Sequence, residues 1–426
     1  MTQKRYSKRR VKNGELGMAT IFKNAHLLDP MQGVEGRGDV LIENGKIVGI
    51  LQDDLAIGKI VPILVPQWDT QIIDLGGAFL SPGWIDIHTH VFNTIGDFCL
   101  PADDVGIRSG VTTIADAGTS GILTFDAFRH SVINTAKTRV YAFMDPSLLY
   151  IATSDFIAHR LEIAANPRNQ DVERAAAAVE ANRDVIVGFK VRPVRRAGEV
   201  QSPVMGAARA LADRFNLPLM VHVGRFPQDE VVPPHELLPQ LKAGDIVTHC
   251  FQPQFGLFDE SGNLIPAARE AIDRGVLLDV GHSNADFSIA TAKSAIAQGI
   301  LPNTLSTDLN CFNIDTVGSL AAVMTKFVNL GLSLADVVER VTTRAAAAIG
   351  KSDQLGGFKP GQLADFTIFE WMDQEVVLED GRGGNLQVSQ MLKVKGVCRS
   401  GEYFGIERSP FDPEPILEDT QEPALV

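Results

Sequence analysis

The sequence predicts an α/β fold in which a (β/α)8 barrel is joined to a small β-sandwich made by the N- and C-terminal segments. Within residues 81–350, short apolar runs rich in β-branched residues alternate with alanine-rich stretches of helical character. That alternation is typical of repeated βα units on a parallel sheet. Eight units in about 270 residues match the size of a TIM barrel. Strand-like runs return at both chain ends, and ends that are neighbours in space can form one small sandwich.

The barrel strands are predicted from apolar runs of five to eight residues bounded by turn residues. The eight predicted strands are 85–90, 111–116, 139–145, 185–192, 218–223, 245–250, 276–280 and 303–308. The helices between them are predicted from alanine-rich stretches that close near Gly, Asn or Pro. Four of these are 171–182, 204–215, 265–274 and 287–298.

The chain is divided by composition into five segments. Residues 1–17 carry six basic and few apolar side chains, so we expect a disordered basic tail. Two alternatives remain open for this tail. It could be an arm that binds nucleic acid or a membrane, or the natural protein could begin at Met18. We assign 18–80 and 351–408 to the sandwich, 81–350 to the barrel and 409–426, rich in Pro, Asp and Glu, to a flexible tail.

Composition excludes several classes of function. A formal net charge of -13 argues against a protein that neutralises phosphates, so we expect a small-molecule substrate and no nucleic-acid partner. No run of about 18 apolar residues indicates a membrane span, and we expect a cytoplasmic protein. The four cysteines lack CxxC spacing and are expected to be reduced thiols. The sequence leaves a homo-oligomer open.

The first predicted strand contains a His-x-His pair. The two-residue period of a strand puts Asp86, His88 and His90 on one face, at the carboxyl end where TIM barrels place their active sites. Paired imidazoles are good ligands for zinc and similar metals. Alone, the pair is equally compatible with two hydrogen-bonded core histidines.

Three further strands also end in ligand-type residues: His222, His249 and Asp308. Each has an ordinary alternative, a hydrogen-bonded histidine or a helix-capping aspartate. In a closed barrel the strand ends converge, so the set as a whole favours a metal site far more than any member does.

Lys190 is predicted to face the barrel interior, because it shares a strand face with Ile186 and Gly188. A buried ammonium is costly to desolvate and tends to lose its proton. The neutral amine can add carbon dioxide to form a carbamate that bridges two metals. A lysine that reaches the barrel mouth or pairs with a carboxylate is the alternative, and the neighbouring histidines favour the carbamate.

The segment Ser-Pro-Gly-Trp-Ile-Asp-Ile-His-Thr-His at 81–90, followed in order by Lys190, His222, His249 and Asp308, resembles the amidohydrolase superfamily. The resemblance covers nearly the whole chain and includes 24–30 and 357–366. Segments 110–118 and 279–282 are similar to the dihydroorotase-like amidohydrolase/deacetylase branch. After His282 the chain reads Ser-Asn-Ala where a glycine-rich continuation is expected, a departure that concerns the substrate rather than the metals.

The resemblance implies two divalent metal ions, with zinc expected. It implies that His88, His90 and Asp308 hold the buried ion and His222 and His249 the exposed one. Lys190, carboxylated, would bridge both ions, and a hydroxide between them would be the nucleophile. Asp308 would accept the hydroxide's proton and return it to the leaving group.

Two residues are candidate substrate contacts. Arg192 follows Lys190 on the same strand face and could pair with a substrate carboxylate, with an ordinary ion pair as the alternative. His282 could donate to the substrate or an oxyanion, with a core hydrogen bond as the alternative. Asn310 and Cys311 should border the site, and no catalytic role is assigned to Cys311.

The function expected is hydrolysis of an amide or ester, such as an N-acyl or O-acyl group on a small carboxylated molecule. A cyclic amidohydrolase of the dihydroorotase type is the nearest alternative. A non-catalytic oligomeric scaffold would be marked by lost ligands, yet all six positions are occupied. A mononuclear deaminase would lack the bridging lysine.

Overall fold

The computed structural model describes residues 18–52, 69–150, 163–224, 231–254 and 256–412. The predicted tail 1–17 lies outside the described residues, as does 413–426. Within the described part of the chain, no helix is both long and apolar enough to span a bilayer.

A parallel sheet carries the centre of the chain. Its neighbouring strands follow each other in sequence and every adjacent pair is parallel, as expected for repeated βα units. Most of its residues are buried, which is typical of a parallel sheet covered on both faces. The strands are β6 (Trp84–Thr89), β7 (Val111–Ala117), β8 (Arg139–Met144), β9 (Ile186–Val191), β10 (Leu219–His222), β11 (Ile246–Thr248) and β12 (Leu277–Leu278).

Residues 303–309 contact both edges of this sheet, which is therefore curled. At one edge Asp308 N donates to His88 O at 2.8 Å. At the other edge Val280 N donates to Thr304 O at 3.2 Å. The predicted eighth strand, 303–308, thus makes isolated parallel bridges instead of a continuous ladder.

The helices lie between and after these strands, and the four predicted helices occur at their predicted places. Asp171 and Ser288 cap two of them by accepting the backbone N–H of Arg174 and Thr291. The α-helices are Ala102–Val105, Phe125–Phe128, Val172–Ala181, Pro203–Phe215, Pro234–Leu237, Pro266–Asp273, Ile289–Ala297, Ile314–Val317, Leu320–Asn329, Leu334–Val341 and Thr343–Ala348. Single turns of 3-10 helix occur at Ile107–Ser109, Pro167–Asn169 and Leu238–Gln240, and a π-helical turn at Arg129–Ile133.

A separate mixed sheet joins the two ends of the chain. Its strands are β1 (Met18–Asp29), β2 (Val34–Glu43), β3 (Lys46–Gln52), β4 (Asp69–Asp74), β5 (Phe79–Pro82), β13 (Phe366–Glu379), β14 (Asn385–Arg399) and β15 (Glu402–Gly405). The order is β15-β14-β13-β5-β1-β2-β3, with β4 also paired to β1. β5 pairs antiparallel with β13, which connects N-terminal to C-terminal strands as predicted.

A buried polar contact connects the mixed sheet to the parallel sheet, and two others connect the start of the predicted C-terminal tail to the central domain. Asp365 accepts a hydrogen bond from the guanidinium of Arg139 on β8. Ser409 is buried with its Oγ 2.9 Å from Ser109 Oγ, and Ser319 Oγ donates to Asp412 at 3.1 Å. Residues 409–412, the first four of the predicted flexible tail, are therefore packed against the central domain.

Candidate metal centre

A cavity of about 250 Å³ opens at the carboxyl ends of the parallel strands, where barrel-type enzymes bind their substrates. Histidines, carboxylates and two basic side chains face it together with two phenylalanines. The lining residues are His88, His90, Phe98, Lys190, Arg192, His222, His249, Ser283, Asn284, Ala285, Asp286, Asp308, Asn310 and Phe312.

One donor group of the cavity consists of His88, His90 and Asp308. The Oδ1 of Asp308 lies 3.1 Å from His88 Nε2 and 2.9 Å from His90 Nε2. Asp308 has φ 56°, in the left-handed region that a side chain seldom adopts. Its carbonyl accepts the side-chain amides of Asn310 and Asn313, and these bonds hold the unusual conformation in place.

Hydroxyl groups behind the first two histidines determine which ring nitrogen carries the proton. Thr248 Oγ1 donates its proton to Asp279 at 2.7 Å, so it must accept from His88 Nδ1, also at 2.7 Å. Thr119 links His90 Nδ1 to Asp116 in the same way, at 2.9 and 2.7 Å. In both rings the network leaves the Nε2 lone pair directed at the cavity.

His249 has the same orientation, because its Nδ1 donates to the carbonyl of Gly281 at 2.7 Å. His249 also has a positive φ, 64°. The centroids of the His249 and His222 rings are 4.4 Å apart. Three ligand atoms, one each from His222, His249 and Asp286, lie within 4.8 Å of one another. This is a second three-donor group in the same cavity.

The donor chemistry fits divalent cations. Burial lowers the pKa of His90 to about 4, so the ring is neutral near pH 7. Although burial raises the pKa of the Asp308 carboxyl, His88 and His90 hold that pKa well below its usual value. An unprotonated Nε2 and a carboxylate oxygen 2.9 Å apart are two acceptors without a proton between them, an arrangement that a shared cation stabilises.

Lys190 is fully buried beside the first donor group. Its Nζ donates to His88 Nε2 at 2.7 Å and approaches the sulfur of Met220 at 3.9 Å. Burial, reinforced by Arg192, lowers the pKa of the ammonium to about 7. A Cβ at Gly118 would come within 2.4 Å of Lys190 Cβ, so the glycine leaves the space that the lysine stem occupies.

Arg192 also lines the cavity, and its polar contacts with the described residues are long. Its guanidinium nitrogens lie 3.4 Å from the carbonyls of Ala117 and Gly118 and 3.6 Å from Asp145. Its Cζ stands 4.9 Å from the ring centroid of Tyr150. The described residues therefore leave much of the hydrogen-bonding capacity of this guanidinium open to a bound anion.

His282, the other candidate substrate contact, does not line the cavity. The ring stacks on Phe287 at 4.2 Å, its Nδ1 donates to Ser283 O at 2.6 Å, and its Nε2 accepts from Lys326 at 2.9 Å. Gly281 and Ser283 on either side have φ 46° and 51°. With positive φ on both sides, the His282 ring points into the core instead of the cavity. Its contacts match the second alternative from the sequence, a histidine that is hydrogen-bonded in the core.

Asp286 is the donor that the sequence pattern did not indicate. It comes from the loop after β12 and not from a strand end, so its approach to His222 and His249 depends on the path of that loop. The supporting hydroxyls of Thr119 and Thr248 were also not predicted. Thr248 directly precedes His249 in the sequence, and this adjacency is the only local signal for it.

Fold and donor set together define an α/β protein with a candidate metal centre at the carboxyl ends of parallel strands. Residues 248–402 match the Amidohydrolase family. A deacetylase from Agrobacterium fabrum is 34% identical over an alignment of 390 residues that covers 87% of this chain and 92% of that protein. A deacetylase from Brucella anthropi is 32% identical over an alignment of 362 residues that covers 83% of this chain and 86% of that protein.

Among solved structures, a dihydroorotase superposes with a TM-score of 0.75 and 28% identity, covering 92% of this chain and 99% of that one. The chain belongs to the amidohydrolase family, as its strand-end residues predict. It is a hydrolase of the kind that acts on C–N bonds.

Proposed function

We propose that the protein is a binuclear metal-dependent hydrolase that removes an acyl group from a small carboxylated molecule. The observation that carries the proposal is the meeting of two three-donor groups and one buried lysine in a single cavity. We further propose that 303–309 closes the parallel sheet into a (β/α)8 barrel, because this segment bonds to both sheet edges.

In this proposal His88, His90 and Asp308 hold one ion, and His222 and His249 hold the other. Two divalent ions, with zinc expected, would lower the pKa of water and polarise the scissile carbonyl. Asp308 would take the proton of the attacking water and deliver it to the leaving nitrogen or oxygen. Its fixed backbone suits that role, because the carboxylate must return to the same position after each transfer.

Lys190 would bridge the two ions as a carbamate. The neutral amine forms an N–C bond with carbon dioxide and releases a proton, which yields an anion with two oxygen ligands. Burial of Nζ and its lowered pKa near 7 support this step, because they favour the neutral amine.

The substrate class is inferred from Arg192 and from the relatives. A guanidinium with spare donors inside the cavity suits a carboxylate in bidentate geometry. The two proteins named deacetylases match over most of this chain, which favours an acyl amide or ester. The match to a dihydroorotase supports cyclic amide hydrolysis as the second candidate.

Metal analysis of the purified protein tests the proposal. We expect about two ions per chain in the parent and loss of at least one in Lys190→Ala. Asp273→Asn, an exposed carboxylate on a distant helix, is the matched control and should retain both. A parent protein that binds no stoichiometric metal after incubation with zinc and bicarbonate would refute the proposed binuclear metal-dependent mechanism.

A hydrolysis screen separates the two candidate reactions. N-acyl amino acids and O-acyl hydroxy acids represent the first candidate, and dihydropyrimidine-type cyclic amides represent the second. We expect turnover of the acyl compounds, and turnover of cyclic amides alone would favour the alternative.

A further inference from the structure

We propose that Asp286 is a further protein ligand of the outer ion, which the loop after β12 adds to His222, His249 and the bridging carbamate proposed for Lys190. This inference rests on the proposed binuclear site. It goes beyond the six residues that the strand ends supply and gives the outer ion a carboxylate, as Asp308 does for the inner one.

The first argument is position. Ligand atoms of His222, His249 and Asp286 all lie within 4.8 Å of one another. A zinc ion about 2.0–2.2 Å from nitrogen and oxygen ligands separates those ligands by about 3.4 Å in tetrahedral geometry. The difference is at most about 1.4 Å, and small adjustments of the three side chains can close it.

The second argument is that the carboxylate is held in place. Gln252, fully buried, donates from Nε2 to Asp286 Oδ1 at 2.7 Å and to Ala285 O at 3.2 Å. Its own Oε1 accepts Gln254 N at 3.1 Å, which fixes the orientation of the amide. Gln252 comes from the turn that follows His249, so one short segment supplies both a ligand and the support of another.

The third argument is the space between the donors. A Cβ at Gly224 would lie 2.9 Å from His222 Nε2 and 2.8 Å from Asp286 Oδ1. Because Gly224 has no side chain, a single ion can approach both His222 Nε2 and Asp286 Oδ1. Among the residues that the structure describes, Oδ1 accepts one hydrogen bond, from Gln252, and Oδ2 accepts none, so the carboxylate keeps lone pairs for a cation.

The consequence concerns the choice of metal. Two neutral imidazoles favour zinc and similar ions, whereas an added carboxylate also suits harder ions such as manganese. We therefore expect Asp286 to raise the affinity of the outer site and to broaden the range of ions that it accepts.

Asp286→Asn tests the inference, because asparagine can still accept the hydrogen bond from Gln252. Binding of zinc and manganese is measured by competition with a chromophoric chelator, and the visible spectrum of the cobalt-loaded protein reports the coordination of each ion. We expect the inner ion to bind as in the parent, the outer ion to bind at least about tenfold more weakly, and the cobalt spectrum to change. Asp286→Glu should restore part of the affinity, and Asp273→Asn should match the parent.

Parent-like affinity at both sites with an unchanged cobalt spectrum in Asp286→Asn would overturn the inference, whether or not activity is lost. A parent that itself binds fewer than two ions would instead refute the binuclear site, so the two failures are distinguishable.

Discussion

Replacing Thr248 by valine should weaken metal binding without touching a ligand. The hydroxyl accepts from His88 Nδ1 and donates to Asp279, each at 2.7 Å, so it fixes the tautomer that presents Nε2 to the cavity. Asp279 keeps hydroxyl donors at 2.7 Å from Thr304 and 2.8 Å from Ser306, so this carboxylate remains satisfied. The main cost is a buried Nδ1–H without a partner.

Leaving such a donor unsatisfied costs about 1–3 kcal/mol. Loss of a group that supports a metal ligand typically costs 10–100-fold in affinity, which is about 1.4–2.7 kcal/mol. The two estimates agree, so Thr248→Val should bind the inner ion roughly 10–100-fold more weakly than the parent. Chelator competition measures this affinity, and circular dichroism verifies that the variant is folded. Thr248→Ser keeps the hydroxyl and should resemble the parent. A folded valine variant with parent affinity would refute the tautomer argument.

Three other predictions concern substrate binding and stability. Arg192→Gln should raise KM for a carboxylated substrate about 10–100-fold, the value of one charge-assisted hydrogen bond, and should leave KM for a neutral analogue nearly unchanged in steady-state assays. Asp365→Asn should lower the free energy of unfolding by about 3–5 kcal/mol in urea titrations, because asparagine leaves the largely buried Arg139 guanidinium without its counter-charge. An effect below about 1 kcal/mol would contradict this. Burial lowers the pKa of Lys326, which donates to His282, to about 7 from an ordinary 10.5. The lysine of the unfolded chain is therefore protonated below about pH 10.5, whereas Lys326 of the folded chain is protonated only below about pH 7. As the pH rises from about 7 to 9.5, the free energy of unfolding of the parent should therefore increase relative to that of Lys326→Met. A difference between the two proteins that does not change with pH would contradict the lowered pKa of Lys326.

The strand-end residues could be predicted because their signal is local. An apolar run that ends in His or Asp places its last side chain at the carboxyl edge of a parallel sheet, whatever the rest of the chain does. His88, His90, Lys190, His222 and Asp308 accordingly line one cavity. The four helices were also predicted from local evidence, namely alanine-rich stretches that close near Gly, Asn or Pro.

The loop after β12 could not be predicted, because its path depends on contacts distant in sequence. Positive φ angles at Gly281 and Ser283 turn His282 into the core, and no residue pattern before them signals the reversal. The same loop brings Asp286 back to the cavity, where Gln252 meets it. A strand-based prediction therefore left a substrate contact and a core hydrogen bond equally open for His282, and it missed the donor at Asp286.

The hairpin between β13 and β14 shows why the C-terminal segment matters for the site. Arg382 Nη1 donates to Ala285 O at 2.8 Å, next to Asp286. A Cβ at Gly381 would come within 2.3 Å of Asn284 O, so only glycine permits this approach of the two backbones. Strands predicted only to complete a sheet at the chain ends thus also fix the loop that carries Asp286. The position of the Asp286 carboxylate therefore depends on residues about 100 positions away in the sequence. Periodicity and strand-end patterns carry no information over that separation.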